Sequence, residues 1–229
     1  NVYFGTTDAP DTGAIHASRG TSIGAIGILV AATKLRERLN KLASEILCCK
    51  PDDIIIREGK VYDKNNPERF IEWKELIKEA YSRGIEMSAT GYFFLPKGTF
   101  NHEIGQGFAY PAFRFIVNIA EVEVDTETGR VKVLKMWPTL AAGKIINPLA
   151  VEGQIEGAIA QGMGLALMEK LEFDSKGAII NANLTDYVIP TVMDVPEVEK
   201  PIYVEDLFKY GPFGAKGVGE MALIPTPAL

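Results

Sequence analysis

The run AEVEVDTETGRVKV, residues 120–133, decides the fold class. Val122 and Val124 alternate with Glu121, Glu123 and Asp125, the period of two that sends successive side chains to opposite faces of a strand. Thr126-Glu127-Thr128-Gly129 supplies turn chemistry before Val131 and Val133 resume the alternation. This predicts a β-hairpin with one buried face and one wet face. Downstream, Asn147-Pro148 joins an N-capping side chain to a first-turn proline, so a helix is expected from Pro148 to about Lys170. Upstream, Leu35, Leu39, Leu42 and Ile46 recur at helical spacing and predict a long helix from Ser22 to about Leu47. Pro51-Asp52-Asp53 should end it, and Ile54-Ile55-Ile56 with Gly59-Lys60-Val61-Tyr62 should form a short strand pair. A second helix, Glu72 to Arg83, would bury Ile71, Leu76, Ile77, Ala80 and Tyr81, with Gly84 as its C-terminal cap. Met87 to Pro96, Phe108 to Ile119, Ala178 to Ile180 and Ile202 to Val204 read as further strands, and Asp186 to Glu199 as a surface crossing. Strands and helices that do not alternate regularly predict an α+β fold, with possible lobes 1–120 and 121–229.

With 229 residues and 47% hydrophobic content, the chain can bury a sizeable core. Its net charge of −6, with Lys and Arg scattered among Asp and Glu, argues against nucleic acid as a partner. No run approaches the roughly 20 apolar residues of a membrane span, and a soluble, cytoplasmic protein is expected. Cys48 and Cys49 are adjacent, the wrong spacing for a zinc or iron–sulfur site, and read as helix-end residues. The two histidines, His16 and His102, are far apart in sequence. Any metal must therefore arrive inside a cofactor.

Three stretches carry more glycine and polar residues than their surroundings require. Gly13 to Thr21 precedes the long helix, where free backbone N–H groups around Gly20 and a fixed guanidinium at Arg19 could face a phosphate or an oxo-metal group. The bland alternative is an ordinary glycine-rich connection. Gly153 to Gly164 holds four glycines inside a predicted helix, each costing about 1 kcal/mol relative to alanine. Gln154, Gly157, Ala158 and Gln161 would share one face, against which a ligand or another backbone could lie. Phe213 to Glu220 lacks the glycine order of a dinucleotide-binding loop. There Glu220, between the glycines and the apolar Met221-Ala222-Leu223-Ile224, could be a partly desolvated general base or a solvent-facing loop carboxylate.

In this order, the three stretches resemble the last third of the molybdenum subunit of the xanthine dehydrogenase and aldehyde oxidoreductase family. The resemblance also takes in Thr7 to Gly13, Ala17-Ser18-Arg19, Ser88-Ala89-Thr90-Gly91, the Val122 to Val133 hairpin and Asn147-Pro148. Its most specific motifs are Gly153-Gln154-x-Glu156-Gly157 and Gly217-Val218-Gly219-Glu220. It implies a truncated, two-lobed α+β molybdenum-cofactor-binding domain, with residues 1–229 forming the C-terminal molybdopterin-binding region. Ala17, Ser18 and Gln154 would lie beside the pterin and its phosphates, and Glu220 beside molybdenum as the catalytic base. With the residues of the three stretches, the candidate cofactor-binding set is Ala17, Ser18, Arg19, Gly20, Gln154, Gln161, Gly217 and Gly219. No side chain is expected to ligate the metal directly.

The implied reaction is hydroxylation of an N-heteroaromatic or aldehyde carbon with water as the oxygen source. The implied cofactor is a molybdenum–pterin group in its cytosine dinucleotide form, with electrons passing to [2Fe-2S] and FAD on other domains or subunits. Family subunits are roughly three times this long, and their upstream part has no counterpart here. The family pattern also continues beyond Pro225 to Leu229. The expected partners are thus an upstream molybdenum-subunit half, iron–sulfur and flavin subunits and a small-molecule substrate, and the isolated chain should be inactive. The competing reading is a non-catalytic scaffold or assembly module that retains the fold.

Overall fold

A computed structural model describes residues 7–8, 13–93 and 98–224, so residues 9–12 of the expected opening motif, the 94–96 end of an expected strand and Pro225 to Leu229 lie outside the described residues. The chain divides into two compact units, one of Ile23–Phe94 and one of Asn1–Ser22 with Leu95–Leu229. No boundary falls at residue 120, because strand β4, named below, runs through it without a break.

In the Ile23–Phe94 unit, α1 (Ala25–Leu47) buries Leu39, Leu42, Ala43 and Leu47, with Leu35 and Ile46 packed at the rim. A π-helical turn, Gly20–Gly24, leads into it. Cys48 caps α1 in the left-handed conformation, φ 52°, its N–H donating to the Ser44 carbonyl. β1 (Ile54–Arg57) and β2 (Lys60–Asp63) pair antiparallel as expected. β3 (Asn66–Glu72) adds a third antiparallel strand, which Pro67 disguised, since proline is expected only where no ladder donor is needed. α2 (Trp73–Ser82) buries Leu76 and Ala80 against α1 and β2. Tyr81 does not join that stripe: it is 70% exposed, one residue and about 100° of helix beyond Ala80.

The strand expected from Met87 does not form among the described residues. Side chains of α1 take the carbonyls that a neighbouring strand would have used. Arg38 Nη1 donates to Glu86 O at 2.9 Å and Ser88 O at 2.6 Å, and Lys34 Nζ to Thr90 O at 2.9 Å. Gly91 lets this segment touch the helix backbone, for a Cβ there would sit 1.9 Å from Gly27 O and 2.7 Å from Ala31 N. Gly91→Ala is therefore expected to destabilise this unit by about 1–3 kcal/mol or more in chemical denaturation, as overpacking does. An unchanged midpoint would show that the segment is not seated on α1.

In the other unit, the hairpin consists of β4 (Phe115–Val124) and β5 (Val131–Ala141). β4 starts later than expected. Pro111 lacks a ladder donor, and the Phe113 carbonyl accepts from Lys216 Nζ at 2.7 Å instead of from a strand. The split into a buried and a wet face also fails at the hairpin tip, where Val122 and Val124 are 39% and 50% exposed while Val133 is 7% exposed. β5 is central, with β6 (Glu197–Val198) and β7 (Ile202–Tyr203) parallel along its other edge. The gap between those two short strands falls at Trp137 and Pro138, where β5 has no proline N–H to offer. Ala178 to Ile180 makes a single bridge, Phe173 to Ile179, rather than a strand.

α3 (Pro148–Leu167) packs Val151, Ile155, Ala158, Ile159 and Met163 on Val133, Met136 and Leu140 of β5. Among the described residues no helix is long and apolar enough to cross a membrane.

At the hairpin turn, Asp125 Oδ2 accepts from Thr128 Oγ1 at 2.7 Å and Oδ1 from Glu127 N at 2.9 Å. The Thr128 hydroxyl first, then the two backbone N–H groups, hold its carboxyl below the ordinary aspartate value. A depressed carboxyl stabilises the fold above its unfolded-state value and loses that contribution as pH falls through the folded one. The Glu127 and Thr128 amide signals should thus shift in one step at a pH below that of a free aspartate. Asp125→Asn should abolish the step, and a step at the free-aspartate pH would contradict the assignment.

Candidate functional site

Asn147 starts α3 by accepting the Ala150 N–H on Oδ1 at 3.2 Å. With Ile155, Ala158 and Ile159 turned into the core, the helix presents Gly153, Gln154, Gly157 and Gln161 outward. Ala158 is 5% exposed and belongs to the packed side, so the expected shared face is corrected by one residue. A Cβ at Gly153 or Gly157 would meet nothing within 4 Å. That face is open.

The C-terminal loop is fixed from several directions. Lys216 N donates to Ala142 O at 2.9 Å, and Lys144 N to Gly214 O at 3.2 Å. The Lys216 side chain is 6% exposed, and its ammonium donates to Phe113 O and to Asp206 Oδ2 at 2.5 Å. Beyond it, Met221 and Ala222 are buried in the α3–β5 core, and Asn118 Nδ2 donates to Ala222 O at 3.4 Å. Glu220 is held between these anchors.

The turn before α1 comes to this loop. Ala17 and Ser18 are both left-handed, with φ 51° and 55°. Ser18 Oγ donates to Glu220 Oε2 at 2.8 Å and accepts from Glu220 N at 3.0 Å. A Cβ at Gly217 would lie 1.7 Å from Ser18 O, and one at Gly219 would lie 3.0 Å from Ser18 Oγ and 3.5 Å from Gln154 Oε1. Only glycine at position 217 permits the approach. Ser18, Gln154, Gly217, Gly219 and Glu220, drawn from all three singled-out stretches, thus converge.

Other expected site residues are placed differently. Arg19 turns back on its own loop, Nε and Nη2 donating to Ala14 O at 2.8 and 2.5 Å, instead of reaching outward. Gly20 opens the π-helical turn. Gln161 lies seven residues past Gln154, about 10 Å along the helix. Glu220 is exposed in this chain and not partly desolvated. Two residues here went unnoticed in the sequence. Lys216 is one. Arg114 is the other: its Nη2 donates to Ala17 O at 3.5 Å, while its buried Nη1 has no protein partner. A cation inside the aromatic run Phe113-Arg114-Phe115 was the available signal.

Chemically, Glu220 keeps one carboxylate oxygen outside the serine contact, as a proton acceptor needs. The cradle around it offers an amide, backbone groups and an unpartnered guanidinium N–H. The family description "Molybdopterin cofactor-binding domain" matches residues 2–196. A probable xanthine dehydrogenase subunit from Bacillus subtilis is 34% identical over all of this chain and 29% of its own length. Quinoline 2-oxidoreductase from Pseudomonas putida 86 superposes with a TM-score of 0.76 at 32% identity, over 93% of this chain and 26% of that one. The aldehyde oxidoreductase of Desulfovibrio desulfuricans gives a TM-score of 0.71 at 31% identity, over 96% and 20%. The chain spans less than a third of the length of these relatives. With this fold, this glycine-dependent convergence and these relatives, the chain belongs to the molybdopterin cofactor-binding domain family of the xanthine dehydrogenase and aldehyde oxidoreductase type.

Proposed function

We propose that this chain forms one wall of a molybdenum hydroxylase active site and supplies its catalytic base, Glu220. The observation that carries the reading is the convergence of Ser18, Gln154 and Glu220 on a loop whose glycine leaves no room for a Cβ. The residues present fit a pterin cofactor. Arg114 Nη1 is buried without a protein partner, the Gly153 and Gly157 side of α3 is open, and Gln154 is exposed beside Gly219. Gln154, Gly217, Gly219 and the Ala17-Ser18 backbone would hold the group, with Arg19, Gly20 and Gln161 at its margin. When bound, the group supplies two-electron oxidation of a substrate carbon with water as the oxygen source.

The chain's own residues then have separable tasks. Glu220 takes a proton at the carboxylate oxygen that Ser18 does not hold. Gln154 offers an amide donor, and the glycines keep backbone rather than side chains against the ligand. A cytosine dinucleotide form of the cofactor, and [2Fe-2S] and FAD on partner domains or subunits, complete the proposed cytoplasmic enzyme. The remainder of a molybdenum subunit would cover the exposed Glu220, which leaves the isolated chain inactive. The substrate class is an N-heteroaromatic or aldehyde carbon, in line with the quinoline and aldehyde named for two relatives.

In the assembled enzyme, Glu220→Gln keeps shape and one oxygen but removes the basic site. Reduction by substrate should slow at least about 100-fold while molybdenum content is unchanged. Near-normal reduction would make Glu220 a loop carboxylate, and loss of metal would make its role structural. Gln154→Ala should weaken cofactor retention by about 1–3 kcal/mol, read as molybdenum and pterin per chain after dilution. Unchanged occupancy and turnover would reassign Gln154 to the helix surface.

A further inference from the structure

We infer that Ser18 is the positioning residue of Glu220, its hydroxyl serving the carboxylate and not the cofactor. This rests on the reading of Glu220 as the base. A serine hydroxyl has one proton to give and two lone pairs to accept with. The Ser18 proton goes to Glu220 Oε2 at 2.8 Å, and one lone pair takes the Glu220 N–H at 3.0 Å. Phosphate oxygens need donors, and the Ser18 hydroxyl has none left. Contact with a pterin phosphate at this turn falls to backbone N–H groups.

The two bonds close a ring through the Glu220 backbone nitrogen, its side chain and Ser18 Oγ. A free glutamate side chain loses rotamer freedom when ordered, and closing this ring orders it before any ligand arrives. One carboxylate oxygen is tethered and the other is left to accept a proton. The arrangement depends on Gly217, since any side chain there would displace Ser18 O. It also depends on position 18 adopting φ 55°, which aims the hydroxyl at the Glu220 N–H.

The test uses the assembled enzyme and four variants. Ser18→Ala and Ser18→Gly both remove the hydroxyl, and glycine does so without strain at a positive φ. The others are Glu220→Gln and the double variant Ser18→Gly with Glu220→Gln. Both single Ser18 variants should retain molybdenum and pterin at parent levels. Their kcat should fall about 10- to 100-fold with KM nearly unchanged, as expected when a reacting group is misplaced. In the Glu220→Gln background, removing the hydroxyl should cost nothing further, because the two residues act as one unit. Loss of pterin in the Ser18 variants would make the hydroxyl a cofactor ligand and overturn the inference. So would an unchanged kcat, or a full additional loss in the double variant. Glu220→Gln read alone decides the base assignment, so the two ideas fail separately.

Discussion

One serine hydroxyl joins residues 202 positions apart, and the direction of the Glu220 carboxylate depends on that contact. Closing so long a loop carries an entropy cost that a single hydrogen bond does not offset. The cost is met by the core. Met221 and Ala222 are 2% and 3% exposed against Ile155, Ala158 and Ile159 of α3, so the residue immediately before them arrives already placed. Hydrophobic packing sets the position of the Glu220 backbone, and the hydroxyl sets the direction of its carboxylate. The first is strong and undirected, the second weak and directional.

Lys216 plays the matching part on the other side of the glycines. Its side chain is 6% exposed, and a buried ammonium is tolerable only when paired and hydrogen-bonded. Asp206 and the Phe113 carbonyl meet that demand. The pairing ties the C-terminal loop to the segment entering β4, which also carries Arg114 beneath Ala17. Replacing Lys216 with an apolar residue would leave the Phe113 carbonyl without its donor, and the loop would lose the tether that lets Gly217 meet Ser18.

Periodic segments were legible in the sequence. The Val122 to Val133 hairpin, α1 and the capped start of α3 stand where alternation, leucine spacing and Asn147-Pro148 put them, because each signal is local. The failures came where tertiary partners replaced local ones. Met87 to Phe93 has strand composition, yet its carbonyls bind Arg38 and Lys34, and β6 is two residues long, just after Pro196 inside the expected Asp186 to Glu199 crossing. The site followed the same rule. Each glycine stretch was ambiguous alone, for a glycine needed to make room for residue 18 looks like any loop glycine until the fold brings Ser18 to it. Arg114 left only its aromatic neighbours as a signal and Lys216 none, since their partners, the Ala17 and Phe113 carbonyls and the Asp206 carboxylate, come to them through the fold.

The left-handed turn at Ala17 and Ser18 poses a question of magnitude. Each non-glycine residue in that conformation costs about 1–2 kcal/mol, so two in succession cost about 2–4. Glycine would remove the strain at no steric penalty. Hydrogen bonds to charged groups contribute about 1.5–3 kcal/mol each, and three reach this turn: Ser18 to the Glu220 carboxylate, Arg19 to Ala14 O and Arg114 to Ala17 O. Together these bonds more than offset the strain. A glycine at position 18 would gain back its share of the strain and lose two exposed hydrogen bonds, the one to the Glu220 carboxylate and the one from the Glu220 N–H, both of which water can replace. What it would lose is the aim of the carboxylate, because the Ser18 hydroxyl is the group that holds Glu220 Oε2. Stability alone therefore gives no reason for a serine in a strained conformation at this position, whereas the placement of Glu220 does.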